Sequence, residues 1–476
     1  MTLEDVLSGR LTETVQVGPR DADLPPLTSG LIITAKFLKE RPVGSPAWYL
    51  RRLLRNLDAR AETMRHWDDY YRGVQPLAFA SERFREAFGG RFRAFSSNFC
   101  ALVVDGTRER MELTSFTGLP PRSQRRAMNI WTENRMAAQS QIAHTEALVK
   151  SVAYVMVAVG QLDEGPTLTV EDGLDAITLP DAHHPHIQRA GLKRYRDDAG
   201  HVIYHLYLPD AMWVLRSQAP TTGAGMSAMV PMPGVPWPAP NPLGEVPLVP
   251  LINRPRLGSE GQSEIDSIMS NQDAVNKYRA DALVAAEFAA FRQRWVIGID
   301  IPVDPKTGKE VEPFKAAVDR LWTVPRADPE DPNPGQVQFG EFEATDLEPY
   351  QRMIESEVGA ISSISRLPYH YLLGQPQSIP PSGESLKSSE AGLVAKVRTQ
   401  MVHFGDAWEE VVRLSLLAVG DPAGRSRMAE AQWRDPETRN ESARADATVK
   451  LFDAGIITRE EARAATGYAP VIEQEA

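Results

Sequence analysis

A chain of 476 residues is too long for one ordinary core, so two to four domains are expected. With 42% hydrophobic and 24% charged residues the composition is globular, which excludes wholesale disorder. The formal charge of −11 argues against tight, static nucleic-acid binding, which needs clustered Lys and Arg to displace counterions; it leaves open a surface that nucleic acid slides past.

The opening MTLEDVLSGR is too acidic and polar for a signal peptide. The longest apolar run, VAYVMVAV at 152–159, falls far short of the ~20 residues a membrane span needs. A soluble chain, intracellular where it is made, is expected. Its single cysteine, Cys100, lies in the hydrophobic NFCALVV, which suits a reducing compartment and excludes a disulfide framework. A small buried apolar role is favoured there over a catalytic thiol.

In chain order, residues 43–72 read as an amphipathic helix closed by Trp67, Tyr70 and Tyr71 and stopped at Gly73. Residues 122–149 form a second helical tract, with Ala127, Ile130, Trp131 and Ile142 at helical spacing. Residues 152–159 read as a buried strand, and strands and turns continue to 215. In RYRDDAGHVIYHLYLPD, Asp198-Ala199-Gly200 separates two runs rich in Tyr, Val and Ile, a hairpin signal.

The proline tract PMPGVPWPAPNPLGEVPLVPLINRP forbids helix and central strand. It predicts an extended strap at the surface whose Leu248, Val249, Leu251 and Ile252 seek burial; a polyproline ligand for a peptide-binding module is the less favoured alternative.

Beyond the strap, Ser263 followed by Asp266 is a near capping box. Ile265, Ile268, Met269, Val275 and Tyr278 then recur at helical spacing, predicting a helix over 264–291, roughly 42 Å long at ~1.5 Å per residue. A module of short strands, a Pro-Lys-Thr-Gly turn and an acidic proline-rich loop follows. Helix resumes after Thr345-Asp-Leu-Glu348, a full capping box, with Leu347, Tyr350, Met353, Ile354, Val358, Ile361 and Ile364 as an apolar stripe ending near Arg366. A small β-rich module is thus inserted between two capped helices. The loop QPQSIPPSGESLKSS at 375–389 interrupts the helical run before Ser382 caps a third helix to about Val419, in which Gly392 and Gly405 make a bend plausible. NESARADATVKLFDAGIITREEARAATGY reads as two short helices joined at Gly455, with Thr458 capping the second.

Signals for chemistry are weak. PKTGKE at 305–310 lacks the first glycine of a phosphate loop and carries Glu310 where Ser or Thr must hold magnesium, so it reads as a hairpin turn. SGESLKSS satisfies neither G-x-S-x-G nor S-x-x-K, since Glu384 stands three before Lys387. The histidines of AHHPHIQ at 182–188 have no cysteine nearby and are stiffened by proline, which favours a loop without metal. DPEDPNPG reads as a solvated turn. No catalytic residue, metal or cofactor is assigned.

Several stretches, taken in register, resemble the portal proteins of tailed bacteriophages, in the branch common among actinobacterial phages. They are DDYYRGVQPLAFAS at 68–81, FSSNFCALVVDGTRERM after it, and LGEVPLVPLINRPRLGSEGQSEIDSIMSNQDAVNKYRADALVAAEFAAFRQRWVIG at 243–298, which is the strongest. LPYHYLLGQPQSIPPSGESL and the ending LFDAGIITREEARAATGY complete the order.

The resemblance implies an α+β phage portal fold, helix-rich, with a β-rich wing and a small clip module inserted between two stem helices. On that likeness residues 1–255 are the N-terminal part of the wing, with the strap at 231–255. Residues 263–291 and 345–366 are the stem helices, 292–344 the clip and 367–385 the tunnel loop. Residues 386–420 are the long wing helix and 421–476 the crown-proximal helices, the crown being small. It implies a homo-oligomeric ring, usually a dodecamer, at one capsid vertex of the virion, assembled in the host bacterial cytoplasm, through which double-stranded DNA is packaged and ejected. Implied partners are the terminase large subunit, the major capsid protein and scaffold, and a head-completion adaptor; no membrane is involved.

Gly374, Gln375, Gln377, Ser378 and Ile379 would face DNA transiently and without sequence preference. Proline stiffens that loop, and its polar residues offer weak, exchangeable contacts where lysines would grip. Apart from the resemblance, the loop is an ordinary connector or a lid. Ala285, Ala286 and Ala289 would pack against Met353, Ile354, Val358 and Ile361, from the same or a neighbouring subunit. Lys306, Lys309, Asp328, Glu330 and Asp331 would offer a docking surface on the clip. The rival readings are another head–tail connector or capsid structural protein and, less favoured, a hydrolase using the serines of SGESLKSS or a metal at the histidines.

Overall fold

Ser45 opens the first helix: its hydroxyl accepts the Trp48 N–H at 3.3 Å, and Pro46 takes the first helical position, where a missing N–H is harmless. The computed structural model describes residues 42–76, 97–160, 165–220, 229–258, 260–290, 294–297, 338–341, 346–373, 383–437, 441–459 and 462. They form two units, one of residues 1–77, 97–273 and 357–476, the other of 78–96 and 274–356.

The first unit begins with α1 (Pro46–Tyr71), α2 (Phe99–Arg108), β1 (Leu113–Thr117), α3 (Pro121–Glu133) and α4 (Met136–Lys150). The strands β2 (Val152–Ala158), β3 (Thr167–Asp172), β4 (Ala176–Pro180), β5 (Gln188–Arg196), β6 (Val202–Tyr207) and β7 (Ala211–Ser217) follow, then β8 (Met229–Pro231), β9 (Ala239–Pro240) and β10 (Leu248–Ile252). Strands β4 to β8 pair in sequence order, antiparallel, and β9 also pairs with β7. Leu50, Leu53, Leu54 and Leu57, one stripe of α1, pack on this sheet against Leu192, Leu206, Trp213 and Leu215.

The hairpin expected at 198–200 joins β5 to β6, with Gly200 at φ +83°. The proline strap contributes β10 as an edge of the three-stranded sheet β10-β2-β3, the position where Pro250 is tolerated in a ladder. Leu248, Val249 and Leu251 are buried and Ile252 is half-buried.

The single helical tract expected over 122–149 is two helices. Arg135 adopts φ +54° between them, and Asn134 turns its side chain to the break. Its amide donates to the carbonyls of Ile130 and Pro166, and its oxygen accepts the Leu168 N–H, so the break fastens the start of β3. An asparagine that bonds local backbone competes with helix continuation.

In the second unit, α5 (Met269–Ala290), whose first turns belong to the first unit, runs into β11 (Arg294–Ile297). That strand pairs antiparallel with β12 (Gln338–Glu341), from Arg294 opposite Glu341 to Ile297 opposite Gln338. The strand leaving α5 and the strand returning toward α6 (Glu348–Ser365) are therefore neighbours. Asp346 caps α6 by accepting the Glu348 N–H at 3.0 Å, one residue later than the capping box expected at Thr345.

The chain re-enters the first unit through α6, then α7 (Tyr369–Leu373), α8 (Gly383–Ala418), β13 (Glu430–Trp433) and α9 (Glu441–Asp453). The α8 helix is unbroken through Gly392 and Gly405. Gly405 faces Trp433 and Ala431, where an added Cβ would stand 3.4 Å from the indole nitrogen, an ordinary packing distance. β13 pairs with β1. The α9 helix ends at Asp453 and the chain turns at Gly455, φ +68°, where the joint was expected; the second C-terminal helix lies mostly outside the described residues. Among the described residues no helix is long and apolar enough to cross a membrane.

Where α8 meets α3 and α4, Trp131 stacks edge-on to Trp408, and Trp408 donates its indole N–H to His144 Nε2 at 2.9 Å. That bond requires a neutral imidazole. Burial, helped by the charge of Arg108, pushes His144 down to about 3. His205, stacked between Tyr195 and Tyr207, is pushed down to about 4 by burial and by Lys193. Both folded values lie below the ~6.5 of an unfolded histidine, so as pH falls the unfolded chain takes up protons that the folded chain refuses.

Stability is therefore present above about pH 6.5 and lost below it, at about 1.4 kcal/mol per pH unit for each histidine until its folded value is reached. Urea unfolding across this range should show His144→Gln, whose amide oxygen can still accept from Trp408, with a slope shallower by that amount. An unchanged slope would contradict the assignment.

Candidate functional site

Glu264, just past the strap, is 1% exposed. A carboxylate taken out of water needs partners for both oxygens. Oε1 accepts from Arg254 Nε at 2.7 Å, Gln400 Nε2 at 2.7 Å and Asn253 Nδ2 at 3.1 Å. Oε2 accepts from Arg254 Nη2 at 2.8 Å and Lys396 Nζ at 3.3 Å. The Lys396 ammonium also donates to the Thr107 hydroxyl at 2.8 Å and to the carbonyl of Ser365, the last residue of α6, at 2.9 Å. Burial lowers the Lys396 pKa although Glu264 opposes the shift. One carboxylate thus joins the end of the strap, the approach to α5, α2, the end of α6 and α8.

This network corrects the expected start of the first stem helix. Residues 264–268 do not continue an α-helix: Ser263 Oγ accepts only the Ile265 N–H, Glu264 turns inward, and Asp266 accepts the Trp67 indole N–H at 3.0 Å. A 3₁₀ turn at Asp266–Ile268 carries the chain into α5 at Met269.

The next turns of α5 are gripped from three sides. The Tyr70 hydroxyl donates to Asp273 at 2.8 Å. Gln272 accepts the Phe99 N–H at 2.8 Å and donates to the Ser97 carbonyl at 2.7 Å. Asn271 donates to Glu357 Oε2 on α6 at 2.8 Å, so the two helices approach one another at this level. The neighbouring Tyr71 donates to Asp105, and Asn98, the cap of α2, donates to the Tyr71 carbonyl. The tyrosine pair read from the sequence is therefore the joint between α1, α2 and the base of α5.

Of the residues expected to pack the stem, Val358 and Ile361 are fully buried, Ala285, Ala286 and Ile354 are half-buried, and Met353 is exposed. The Ala289 side chain lies outside the described residues. So do Gly374, Gln375, Gln377, Ser378 and Ile379, and Lys306, Lys309, Asp328, Glu330 and Asp331. Cys100 is fully buried in α2, and burial with the charge of Asp273 pushes its thiol up, away from a reactive thiolate. Asp181 accepts the N–H groups of His183 and His184, forming a turn whose imidazoles are exposed. Among the described residues no group of His, Cys, Asp and Glu is gathered to hold a metal. Ser385, Ser388 and Ser389 are exposed on the first turns of α8.

Sequence reasoning passed over Glu264, Arg254, Lys396 and Gln400. The available signal was a lysine on an apolar stripe: Lys396 lies between Leu393, Val394 and Val397, at positions where a helix meets a core.

The profile of the family described as phage portal protein, SPP1 Gp6-like, matches residues 50–467. The chain belongs to this portal protein family, and its mixture of helices and antiparallel sheets is an α+β portal fold. The portal proteins of Mycobacterium phages D29 and L5 are 36% and 34% identical to it over 239 residues, 48% of this chain. The chain matches about half the length of these relatives, 47% of each. Among solved structures, the neck of an empty gene transfer agent particle computed with C6 symmetry is 13% identical, covering 83% of this chain and 96% of its own, with a TM-score of 0.44. The neck of a native particle computed with C12 symmetry is 12% identical, covering 81% and 92%, with a TM-score of 0.41.

Removing one partner of a buried pair leaves an uncompensated charge, so Lys396→Met should destabilise the chain by about 3–5 kcal/mol. Glu264→Leu combined with Lys396→Met should recover part of that loss. Denaturant unfolding of the single and double variants measures the coupling, and strictly additive losses would show that the two side chains do not act together.

Proposed function

We propose that the chain is the subunit of a portal ring, a non-enzymatic conduit through which double-stranded DNA enters and leaves a phage capsid. The observation that carries this reading is the helix–module–helix arrangement in a portal-family chain. The α5 and α6 helices are bridged by Asn271 and Glu357, and the strands that flank the inserted module are paired with each other. In this reading the clip, residues 292–344, docks the packaging motor and later the head-completion protein, and Gly374, Gln375, Gln377, Ser378 and Ile379 of the tunnel loop at 367–385 approach the duplex. Energy comes from a separate ATPase. The ring belongs to the virion and is assembled in the host cytoplasm with the major capsid protein and scaffold.

The apolar residues that α6 leaves exposed support an assembly. Met353 and Ile364 lie eleven positions apart on one helical face, and both remain exposed in the single chain, as does Leu283 on α5. The alanine-rich half of α5 suits close helix-to-helix approach by a neighbouring subunit. The acidic balance of −11 suits a conduit, since DNA held tightly cannot move.

Negative-stain images of the purified protein should show a toothed annulus with a central hole; a uniformly monomeric protein would refute the reading. Ala286→Asp should abolish the ring while leaving the chain folded, and normal rings from that variant would refute the packing of α5. Affinity for duplex DNA in the nanomolar range at physiological salt would contradict a weakly contacting wall.

A further inference from the structure

We infer that Arg110, Tyr371 and Glu390 form a positioning clamp that fixes the chain on both sides of residues 374–382 and ties it to the C-terminal segment. The guanidinium of Arg110, just past α2, donates through Nη2 to the Tyr371 hydroxyl and to Glu390 Oε1, the latter at 3.0 Å. The Tyr371 hydroxyl donates to the same carboxylate oxygen at 3.2 Å, closing a triangle. Nη1 of Arg110 donates to the Pro436 carbonyl at 2.8 Å. The Arg110 and Glu390 side chains are 16% and 11% exposed, so water competes weakly for these bonds.

The α7 helix needs such a tether. Five residues are too few to hold a helix by internal hydrogen bonds, so its place is set by what its side chains touch. Two contacts besides Tyr371 set it. Leu372 is buried, and Leu367, 1% exposed, lies against α2 at Gly106, where an added Cβ would stand 2.9 Å from it. A second cross-link runs parallel to the clamp: Lys396, six residues after Glu390 on α8, holds the Ser365 carbonyl. The arm entering residues 374–382 and the arm leaving them are thus fastened to one helix and one arginine. Lysine cannot replace Arg110, because one ammonium lacks the planar fork that spans a hydroxyl, a carboxylate and a carbonyl.

In the conduit reading, on which its functional meaning rests, the clamp sets where the DNA-facing segment departs from the scaffold. The contact with Pro436 makes that departure sensitive to the C-terminal segment.

Hydrogen exchange followed by mass spectrometry on the full chain tests this. Tyr371→Phe removes one hydroxyl and keeps the ring, and Arg110→Lys keeps the charge. Both should speed exchange at 369–373 about tenfold, with Arg110→Lys also speeding it at 434–437. Peptides of β5 to β7 should be unchanged. Arg413→Lys, a change in another buried arginine network, serves as control and should leave 369–373 unaltered. Unchanged exchange at 369–373 in Tyr371→Phe, or a rise spread evenly over the chain, would overturn the clamp. The measurement needs neither ring nor DNA, so a protein that never forms rings would sink the conduit reading and leave this result standing.

Discussion

The buried pair of Glu264 and Lys396 is the constraint on which the placement of the start of α5 and the end of α6 depends. An ammonium and a carboxylate in the interior are a poor source of net stability, because desolvation offsets most of their attraction. What they supply is uniqueness. Glu264 accepts five hydrogen bonds from four residues, and Lys396 spends its remaining donors on Thr107 and the end of α6. An apolar contact of the same volume would tolerate a helix slipping by a turn. This network does not, since a shift of a few ångströms strands a charge.

The same logic continues outward from that centre. The first turns of α5 are positioned by polar side chains with directional demands: Asp266 to Trp67, Gln272 to the backbone of residues 97 and 99, Asp273 to Tyr70. The base of the helix is therefore set by hydrogen-bond geometry, whereas its later turns mix alanines with an exposed Leu283. A helix fixed at its base by directional bonds, with apolar side chains such as Leu283 left exposed beyond it, suits packing against another surface. Bulky apolar anchoring throughout would instead bury both helices in a single-chain core.

How much of this was legible follows from the range of each interaction. The helix at 46–71, the strand at 152–158 and the hairpin at 198–200 rest on local periodicity and one glycine at positive φ, and local signals can be read. The strap was legible because proline restricts a strand to an edge whatever surrounds it. The break at Asn134 was not, since its partners, Pro166 and Leu168, are more than thirty residues away. Glu264 was misread for the same reason. A serine followed by acids is a helix start by local rules, and only α8, some 130 residues on, turns the glutamate into an interior cross-link. In the candidate site the tyrosine pair was visible as a motif, but its partner Asp273 was not.

The ion pairs divide their charges unevenly between interior and solvent. In several networks the cation is interior and its carboxylate partner reaches solvent. Arg413 and Lys150 are 6% and 7% exposed, whereas their partners Glu245 and Asp172 are 39% and 34% exposed. Arg60, at 11%, pairs with Glu260 at 53%. Around Glu264 the order is reversed: the carboxylate is fully buried, Lys396 is 5% exposed and Arg254 is 32% exposed, so the charge that reaches solvent there is positive. Fields beyond about 8–10 Å are screened at physiological salt, so a polyanion passing the protein responds to the charges nearest its path. An interior that sequesters arginine and lysine as cross-links therefore does two things with one set of residues. It locks the helices in register, and at Arg60, Lys150 and Arg413 it leaves the acidic partner toward solvent.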